Sequence, residues 1–410
     1  MTAREVALEL LLQWPRARRL ADDLLDERLA TAALSPPDRA LTTELFYGCL
    51  RQKLALEFLL SRQATNPPRA VVAEIIKLGL YQLFFLRTPP HAAVNETVAL
   101  AKQRASPAET RFVNAVLRRA DFGALAKAEP WMRLSHPEWL WKRWSAHWGI
   151  ALTEKFCEWN NQPPPLCVRF NTLRGSSNVS ESLPLKPHAA HPLCFEVTDA
   201  GKFFQSAAWR SGQFYAQDPS TLAAVDALDP QPGESVLDLC AAPGGKTTYI
   251  AQRMKNRGRI IAMDISSARL GRVGENCRRL GVTMVATLAC SGTKPEHCLR
   301  GELFDRVLVD APCSNTGVMR RRPDLRWRIE ASEIGKLAAL QEKLLSSGAR
   351  LTRRGGVLVY STCSVEPEEN ERIAERFRES HPEFALDATR SMFPPRDGVD
   401  GFFVARFKRL

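Results

Sequence analysis

The sequence predicts a multidomain protein: an N-terminal all-α bundle, a small α+β insert, and a C-terminal α/β domain on a doubly wound parallel sheet. Three observations predict it. Residues 1–128 repeat apolar side chains at helical spacing, with no alternating strand pattern. From about residue 216, short β-branched runs alternate with helical segments, as in strands joined by crossover helices. Between these regions, residues 166–215 carry shorter segments of both kinds.

In the first region, Ala3–Trp14 sets Val6, Leu8, Leu10 and Leu11 among polar positions, and Leu41–Leu60 and Val71–Leu86 are longer and more apolar. Proline pairs at Pro36–Pro37, Pro67–Pro68 and Pro89–Pro90 mark helix breaks or starts. Residues 129–165 read as a tryptophan-rich helical connector, and "WMRLSHPEWLWKRWSAHW" holds five of the nine tryptophans. Aromatics interleaved with Lys and Arg can stack on bases. The helical spacing of Trp141, Trp144 and Trp148 instead suits a face packed on a neighbouring domain, which is the expectation. "NNQPPPLCVRFNTLRG" is a linker running into the first strand of the 166–215 segment. In residues 216–410, the strands "SVLDLC", "RIIAMD", "DRVLVD" and "GGVLVYSTC" alternate with helices from Thr247, through Arg269–Leu280, and from Ser332.

With 410 residues, 45% of them hydrophobic, the chain can bury several cores. The net charge is +12, with 18 Lys/Arg against 14 Asp/Glu in residues 1–130 and 39 against 31 in the rest. Both parts are basic, which suits a polyanionic partner more than a single basic tail does. The ten cysteines include no C-x-x-C pair and no His/Cys set at zinc spacing, so no metal is expected. Arg4, Glu5 and Glu9 interrupt the first apolar stretch, which reads as an amphipathic helix and not a signal peptide. No apolar run approaches membrane length. These features predict a cytoplasmic protein with reduced thiols.

Ligands of such parallel sheets bind outside the carboxyl ends of the strands. There the stretch "VLDLCAAPGGKTTYI" gives a strand, a loop of small residues and a helix. A phosphate-cradling P-loop would need glycine where Cys240 stands, and a dinucleotide fingerprint would need more than Gly244–Gly245. S-adenosylmethionine (AdoMet) has no phosphate but needs close backbone approach, which Ala241, Ala242, Gly244 and Gly245 permit. Asp264 ends the next strand, where an acid can accept from both ribose hydroxyls; it can also serve as a helix N-cap. Lys246, at the helix start beside the loop, is read as a site residue over a surface charge.

Two cysteines complete the pattern. Cys313, in "DRVLVDAPCSNTGV", follows the fourth strand of the sheet, and Cys363, in "VLVYSTCS", follows the fifth. A lone cysteine there would read as packing. Adjacent parallel strands would bring both thiols, Asp310 and the loop to one rim. Two thiols beside a methyl donor suit methylation of carbon 5 of a pyrimidine, which needs a thiolate added at carbon 6 to make carbon 5 nucleophilic. A carboxyl such as Asp310 against the N3 and amino edge would favour cytosine.

The motifs "DLCAAPGGKT", "DAPCSNTG" and "YSTCSVEPEENE", with "YAQDPST" and "DGVDGFFVARFKR", closely resemble RNA cytosine-5 methyltransferases of the NOL1/NOP2/Sun family. "AVNETVALAKQ" followed by "RFVNAVLRRA" resembles the last helices of the NusB family, an RNA-binding helical fold. Together they cover the chain except a divergent stretch near 172–200, and they are similar to the family's bacterial branch that acts on 16S ribosomal RNA. The resemblance implies a NusB-like RNA-binding domain over 1–128 and a Rossmann-like AdoMet-dependent methyltransferase domain over 216–410. It implies Cys363 as nucleophile, Cys313 in product release and Asp310 on the target base, with Lys246 beside them. Cys240, Ala241, Ala242, Pro243, Gly244, Gly245, Lys246, Asp264 and Asp310 carry over as cofactor contacts. Ser291 stands where the family usually has an aspartate by the adenine, and brings no charge. The implied cofactor is AdoMet and the implied partner 16S ribosomal RNA, with no DNA, no membrane and a monomeric chain.

"MRRRPDLRWR" puts Arg320, Arg321, Arg322, Arg326 and Arg328 soon after Cys313, and these are expected to meet phosphates. Two rivals differ in what they require. A DNA cytosine methyltransferase would take its nucleophile from the P-C motif and would not need Cys363. A non-enzymatic RNA-binding assembly factor with a silent methyltransferase fold would need neither thiol.

Overall fold

A computed structural model describes residues 1–410 except 18, 65 and 176–181, so part of the predicted 166–215 insert lies outside the described residues. The chain folds as two compact units: Met1–Pro163 with Met319–Arg328, and Pro164–Val318 with Ile329–Leu410. The chain thus leaves the second unit just after the "DAPCSNTGV" stretch and rejoins it ten residues later.

The first unit is helical. Its first helix, Ala3–Gln13, opens on a capping box in which Thr2 and Glu5 satisfy each other's backbone N–H groups. The expected helix over Leu41–Leu60 is two, Pro36–Arg51 and Lys53–Ser61, because Gln52 leaves helical geometry at φ −102°, ψ 19°. Pro36 and Pro90 each stand at the start of a helix, where a missing N–H costs nothing. Val6, Leu10, Leu45, Phe46, Ile75 and Ile76 are fully buried in one core, each worth about 1.5–3 kcal/mol of transfer free energy.

The tryptophan segment packs, but on its own unit. Trp144 is buried with its ring 4.8 Å from that of Phe156, and Trp148 lies 5.5 Å from the same ring. Phe156 belongs to the next helix, Ile150–Asn160, so these rings close on a chain neighbour within the first unit.

The arginine run also departs from expectation. Residues 319–328 are sewn into the first unit. Arg326 is 0% exposed and donates to Ser135 O (3.1 Å), Asn160 O (2.9 Å) and Asn161 Oδ1 (2.7 Å). Burial lowers its pKa to about 9, which leaves it charged at neutral pH. Arg320 is buried over the Trp159 ring at 4.2 Å and donates to Pro163 O. Arg328 donates to Ala17 O at 3.1 Å. All three guanidiniums satisfy main-chain carbonyls, and Arg326, with no exposed surface, is a structural tie and not a phosphate contact. Arg321 and Arg322 are only partly buried.

The second unit holds two sheets. The smaller is antiparallel, in the order β2-β3-β1-β4, from β1 (Cys167–Phe170), β2 (Leu185–Pro187), β3 (Cys194–Val197) and β4 (Phe214–Ala216). The larger has seven strands: β5 (Ser235–Asp238), β6 (Arg259–Asp264), β7 (Val285–Ala289), β8 (Phe304–Asp310), β9 (Thr352–Thr362), β10 (Phe384–Met392) and β11 (Phe402–Arg409). Their order is β10-β11-β9-β8-β5-β6-β7; β5 to β9 run parallel and the final hairpin antiparallel. Strand order reverses at β5, which lies between β6 and β8, so the carboxyl ends of β5 and β8 flank the switch point where such sheets bind ligands.

Of the ten cysteines, Cys290 and Cys298 form a disulfide across the loop after β7, with Cα atoms 6.7 Å apart. The expectation of uniformly reduced thiols is corrected there: the turn through Pro295–His297 folds the chain back within bridging reach. Among the described residues no helix is long and apolar enough to cross a membrane.

Burial of Arg326 predicts that Arg326→Ala destabilises the first unit by about 2–4 kcal/mol, since several buried carbonyls lose a charged donor. Arg322→Ala should change stability by no more than about 0.5 kcal/mol. Denaturant unfolding of both variants checks this, and equal midpoints would refute the structural role of Arg326.

Candidate active site

Strands β8 and β9 pair in parallel with Asp310 opposite Ser361. That register fixes the rest. Beyond Asp310 the chain runs through Pro312 to Cys313, and beyond Ser361 it reaches Cys363. The two sulfurs lie 3.3 Å apart. Cys313 is buried and Cys363 half-buried.

The loops carrying the thiols are locked by close backbone approach. Gly317 N donates to Cys363 O at 3.0 Å, and Gly401 N donates to Gly317 O at 2.9 Å. A Cβ on Gly317 would stand 2.8 Å from Cys363 O and 2.7 Å from Gly401 O, so only glycine fits. Asn315, held in the left-handed region at φ 58°, joins the two thiols: its Nδ2 donates to Cys313 O (2.7 Å) and its Oδ1 accepts from the Cys363 thiol (3.1 Å). Asn315 was not singled out from sequence, although asparagine tolerates that backbone region better than most residues.

Charge is balanced beside them. Lys246 Nζ donates to Asp310 Oδ2 at 2.7 Å, and Ser361 Oγ donates to Asp310 Oδ1 at 2.8 Å. Burial opposes the Lys246 charge, but the adjacent Asp310 carboxylate outweighs it and raises the lysine's pKa. The thiols differ. Cys313 is pushed well above the ordinary thiol range, first by its hydrogen bond to Cys363 and then by burial.

The loop 240–246 connects β5 to the helix Gly245–Arg253. Gly244 has φ 101°, and a Cβ there would press on Val273 Cα at 3.2 Å. The glycine therefore serves both the turn and close packing of the next helix. Ala241 and Ala242 are buried and Pro243 is exposed. The Cys240 side chain packs against the core under the sheet, and burial raises its thiol.

Asp264 Oδ2 accepts from Ala242 N (3.2 Å) and Oδ1 from Ser266 N (3.0 Å). The N-cap of the following helix is Ser266, which leaves Asp264 as a clamp on the loop. Ser291 lies two residues past β7, the neighbour of β6, and its hydroxyl pairs with Thr293 Oγ1 at 3.0 Å. The rim thus gathers Lys246, Asp264, Ser291, Asp310, Cys313 and Cys363 on consecutive strand ends of one unit.

Two buried acids at this rim went unread in the sequence. Glu369 lies under the thiol loops, within the "EPEENE" run. Asp238, the last residue of β5, is fully buried; Thr247 Oγ1 donates to its Oδ2 at 2.7 Å, and its Oδ1 has no partner. An orphaned buried carboxylate oxygen beside a glycine loop fits a ligand that brings a hydrogen-bond donor or a positive charge.

Burial raises the Asp238 pKa from 3.8 to about 7. A folded value above the unfolded one means that the folded state holds the proton longer. Asp238 therefore costs stability progressively as pH rises from about 4 to about 7, with no further loss above that. Asp238→Asn should flatten the stability profile across that window, as measured by thermal melts at a series of pH values. An unchanged slope would show that another group carries the titration.

Three family models match the chain: the NusB family over residues 1–122, the ferredoxin-like domain of RsmF/B-like methyltransferases over 136–183, and 16S rRNA methyltransferase RsmB/F over 225–408. The probable ribosomal RNA small subunit methyltransferase B of Bacillus subtilis is 33% identical over 100% of this chain and 99% of its own. Ribosomal RNA small subunit methyltransferase B of Yersinia pseudotuberculosis is 38% identical over 91% of each. The crystal structure of PH0851 superposes with a TM-score of 0.81 at 25% identity, over 100% of this chain and 99% of that one. A NusB-family bundle, a small antiparallel sheet and a Rossmann-like sheet with two thiols at its rim therefore belong together, and the chain is a member of the RsmB/F family of 16S rRNA methyltransferases.

Proposed function

We propose that the chain methylates carbon 5 of a cytosine in 16S ribosomal RNA, with AdoMet as donor and a covalent bond between Cys363 and carbon 6 on the way. One observation carries this reading: two thiols stand 3.3 Å apart at neighbouring strand ends, beside the Lys246–Asp310 pair. A methyltransferase acting on a nitrogen or a hydroxyl would need neither thiol.

AdoMet supplies an electrophilic methyl group. The residues that would hold it are the backbone of Cys240–Lys246, Asp264 at the ribose, Ser291 toward the adenine, and the free oxygen of Asp238. Cys363, the more exposed thiol, adds as thiolate to carbon 6, and the electron pair moves to carbon 5. Asp310, its charge balanced by Lys246, holds the N3 and amino edge of the base and stabilises charge developing there. After methylation a base takes the carbon 5 proton, the electrons of that C–H bond form the carbon 5–carbon 6 double bond, and the carbon–sulfur bond breaks with its pair returning to Cys363 as thiolate. Cys313 serves that release. Arg321 and Arg322 remain candidates for phosphate contacts. In this reading the enzyme works in the cytoplasm on ribosomal RNA, as a monomer with no DNA or membrane partner. The non-enzymatic alternative would leave the Cys313–Cys363–Asn315 cluster without a role.

The thiols are separable by the step each serves. With an unmodified 16S rRNA transcript and AdoMet, Cys363→Ala should give neither methylation nor a covalent complex. Cys313→Ala should stall with RNA attached, a species that survives a denaturing gel. A DNA-type arrangement makes the opposite assignment, and an adduct formed only by Cys363→Ala would overturn the proposal. Bisulfite sequencing of the RNA identifies the modified base, and a product other than 5-methylcytosine would refute the chemistry.

For the cofactor, Asp264→Ala should weaken AdoMet binding by roughly 1.5–3 kcal/mol, about one charge-assisted hydrogen-bond pair. Calorimetry with unchanged affinity would remove Asp264 from the site.

A further inference from the structure

The thiol loops rest on a buried polar cluster that the reaction itself does not use. Glu369 is 0% exposed, and its carboxylate grips one residue with both oxygens: Ser314 N donates to Oε1 at 2.9 Å, and Ser314 Oγ donates to Oε2. Gln341 Nε2 donates to the same Oε1 and to Pro312 O, each at 3.0 Å. Both chain neighbours of Cys313 are therefore tied to the Glu369–Gln341 pair. Ser314 Oγ also meets Ser364 Oγ at 3.0 Å, which links the residues that follow the two cysteines.

Cys363 is held by other means. It follows a central strand, its carbonyl accepts from Gly317 N, and its thiol donates to Asn315. Glu369 is itself anchored through its backbone, whose carbonyl accepts from Tyr360 Oη at 2.5 Å. Removing its carboxylate would leave that anchor and the strand that carries Cys363 in place, and would loosen first the chain on either side of Cys313.

We propose that Glu369 is a positioning residue for product release, holding the Cys313 loop so that its thiol stays in contact with Cys363. The inference rests on the cytosine-5 reading above, in which Cys363 forms the adduct and Cys313 serves its breakdown. A carboxylate accepting three hydrogen bonds inside the protein fixes a loop more firmly than neutral partners would. A shift of about 1 Å in a reacting group can cost on the order of a hundredfold in rate.

The experiment compares wild type, Glu369→Ala, Glu369→Gln and Cys313→Ala on an unmodified 16S rRNA transcript with AdoMet, following multiple turnover and the gel-stable adduct together. Glu369→Ala should lower turnover by about tenfold or more while raising the fraction of enzyme trapped as adduct. Its AdoMet affinity should match wild type. Glu369→Gln keeps an acceptor for Ser314 N, and its amide can donate to Ser314 Oγ; it should restore turnover to within about threefold. A merely structural role would lower turnover and adduct together, and that result overturns the proposal. So does wild-type behaviour of Glu369→Ala. If Glu369→Ala fails to fold, Ser314→Ala removes one arm of the same clamp and should show the same rise in adduct with slower turnover; its absence overturns the proposal equally. Failure of Cys313→Ala to form adduct would overturn the underlying reading and this inference with it. Adduct in Cys313→Ala with none gained in the Glu369 or Ser314 variants would overturn this inference alone.

Discussion

The parallel pairing of β8 with β9 is the constraint on which the candidate site depends. Asp310 lies opposite Ser361, and a slip of one residue would turn every side chain on one strand to the other face. Asp310 would lose the Ser361 hydroxyl, Cys363 would move away from Cys313, and the Gly317–Cys363 hydrogen bond would break. Register is enforced by burial: Val307, Leu308, Val309, Leu358, Val359 and Tyr360 are all 0% exposed. The apolar cores on both faces of the sheet thus set the distance between two sulfurs.

Around that constraint the site resolves a conflict between burial and charge. Lys246, Asp310, Asp264 and Asp238 all stand where solvent is scarce, and a lone charge there would be expelled or neutralised. Three of them have partners: Lys246 with Asp310, and Asp264 with two backbone N–H groups. Asp238 has only Thr247 and is the one whose pKa rises to about 7. The contrast is informative. Fully paired acids support the architecture by themselves, and the half-paired one is where a cationic or donor ligand would fit.

Much of this was legible in the sequence, because strand ends and small-residue loops are local signals. β-branched runs ending in Asp264 and Asp310 located the rim, and the fourth and fifth parallel strands put Cys313 beside Cys363. What failed was the reading of exposure. The arginines of 320–328 form a charge run by composition, yet Arg326 is spent on Ser135, Asn160 and Asn161, residues far away in sequence that no local pattern could name. The break of Leu41–Leu60 at Gln52 was hidden because the apolar periodicity continues across it. Glu369 and Asn315 were missed for a related reason: a glutamate in an acidic run and an asparagine in a turn look solvated until tertiary structure buries the first and puts the second between two thiols.

The unequal surroundings of the two thiols argue for a division of labour that changes during the proposed cycle. In the resting site the largest influence raising Cys313 is its contact with Cys363, ahead of burial. Two thiols at 3.3 Å cannot both ionise easily, and Cys313, the more buried of the two, is the one whose ionisation the contact opposes. Bonding to carbon 6 would turn Cys363 into a neutral thioether. That step would remove the contact with Cys363 that raises Cys313, leaving burial as the main opposition to its ionisation. Cys313 would become easier to deprotonate only once the adduct exists, when a base near carbon 5 is needed. The order of events would then follow from the contact between the sulfurs, without either residue having to move.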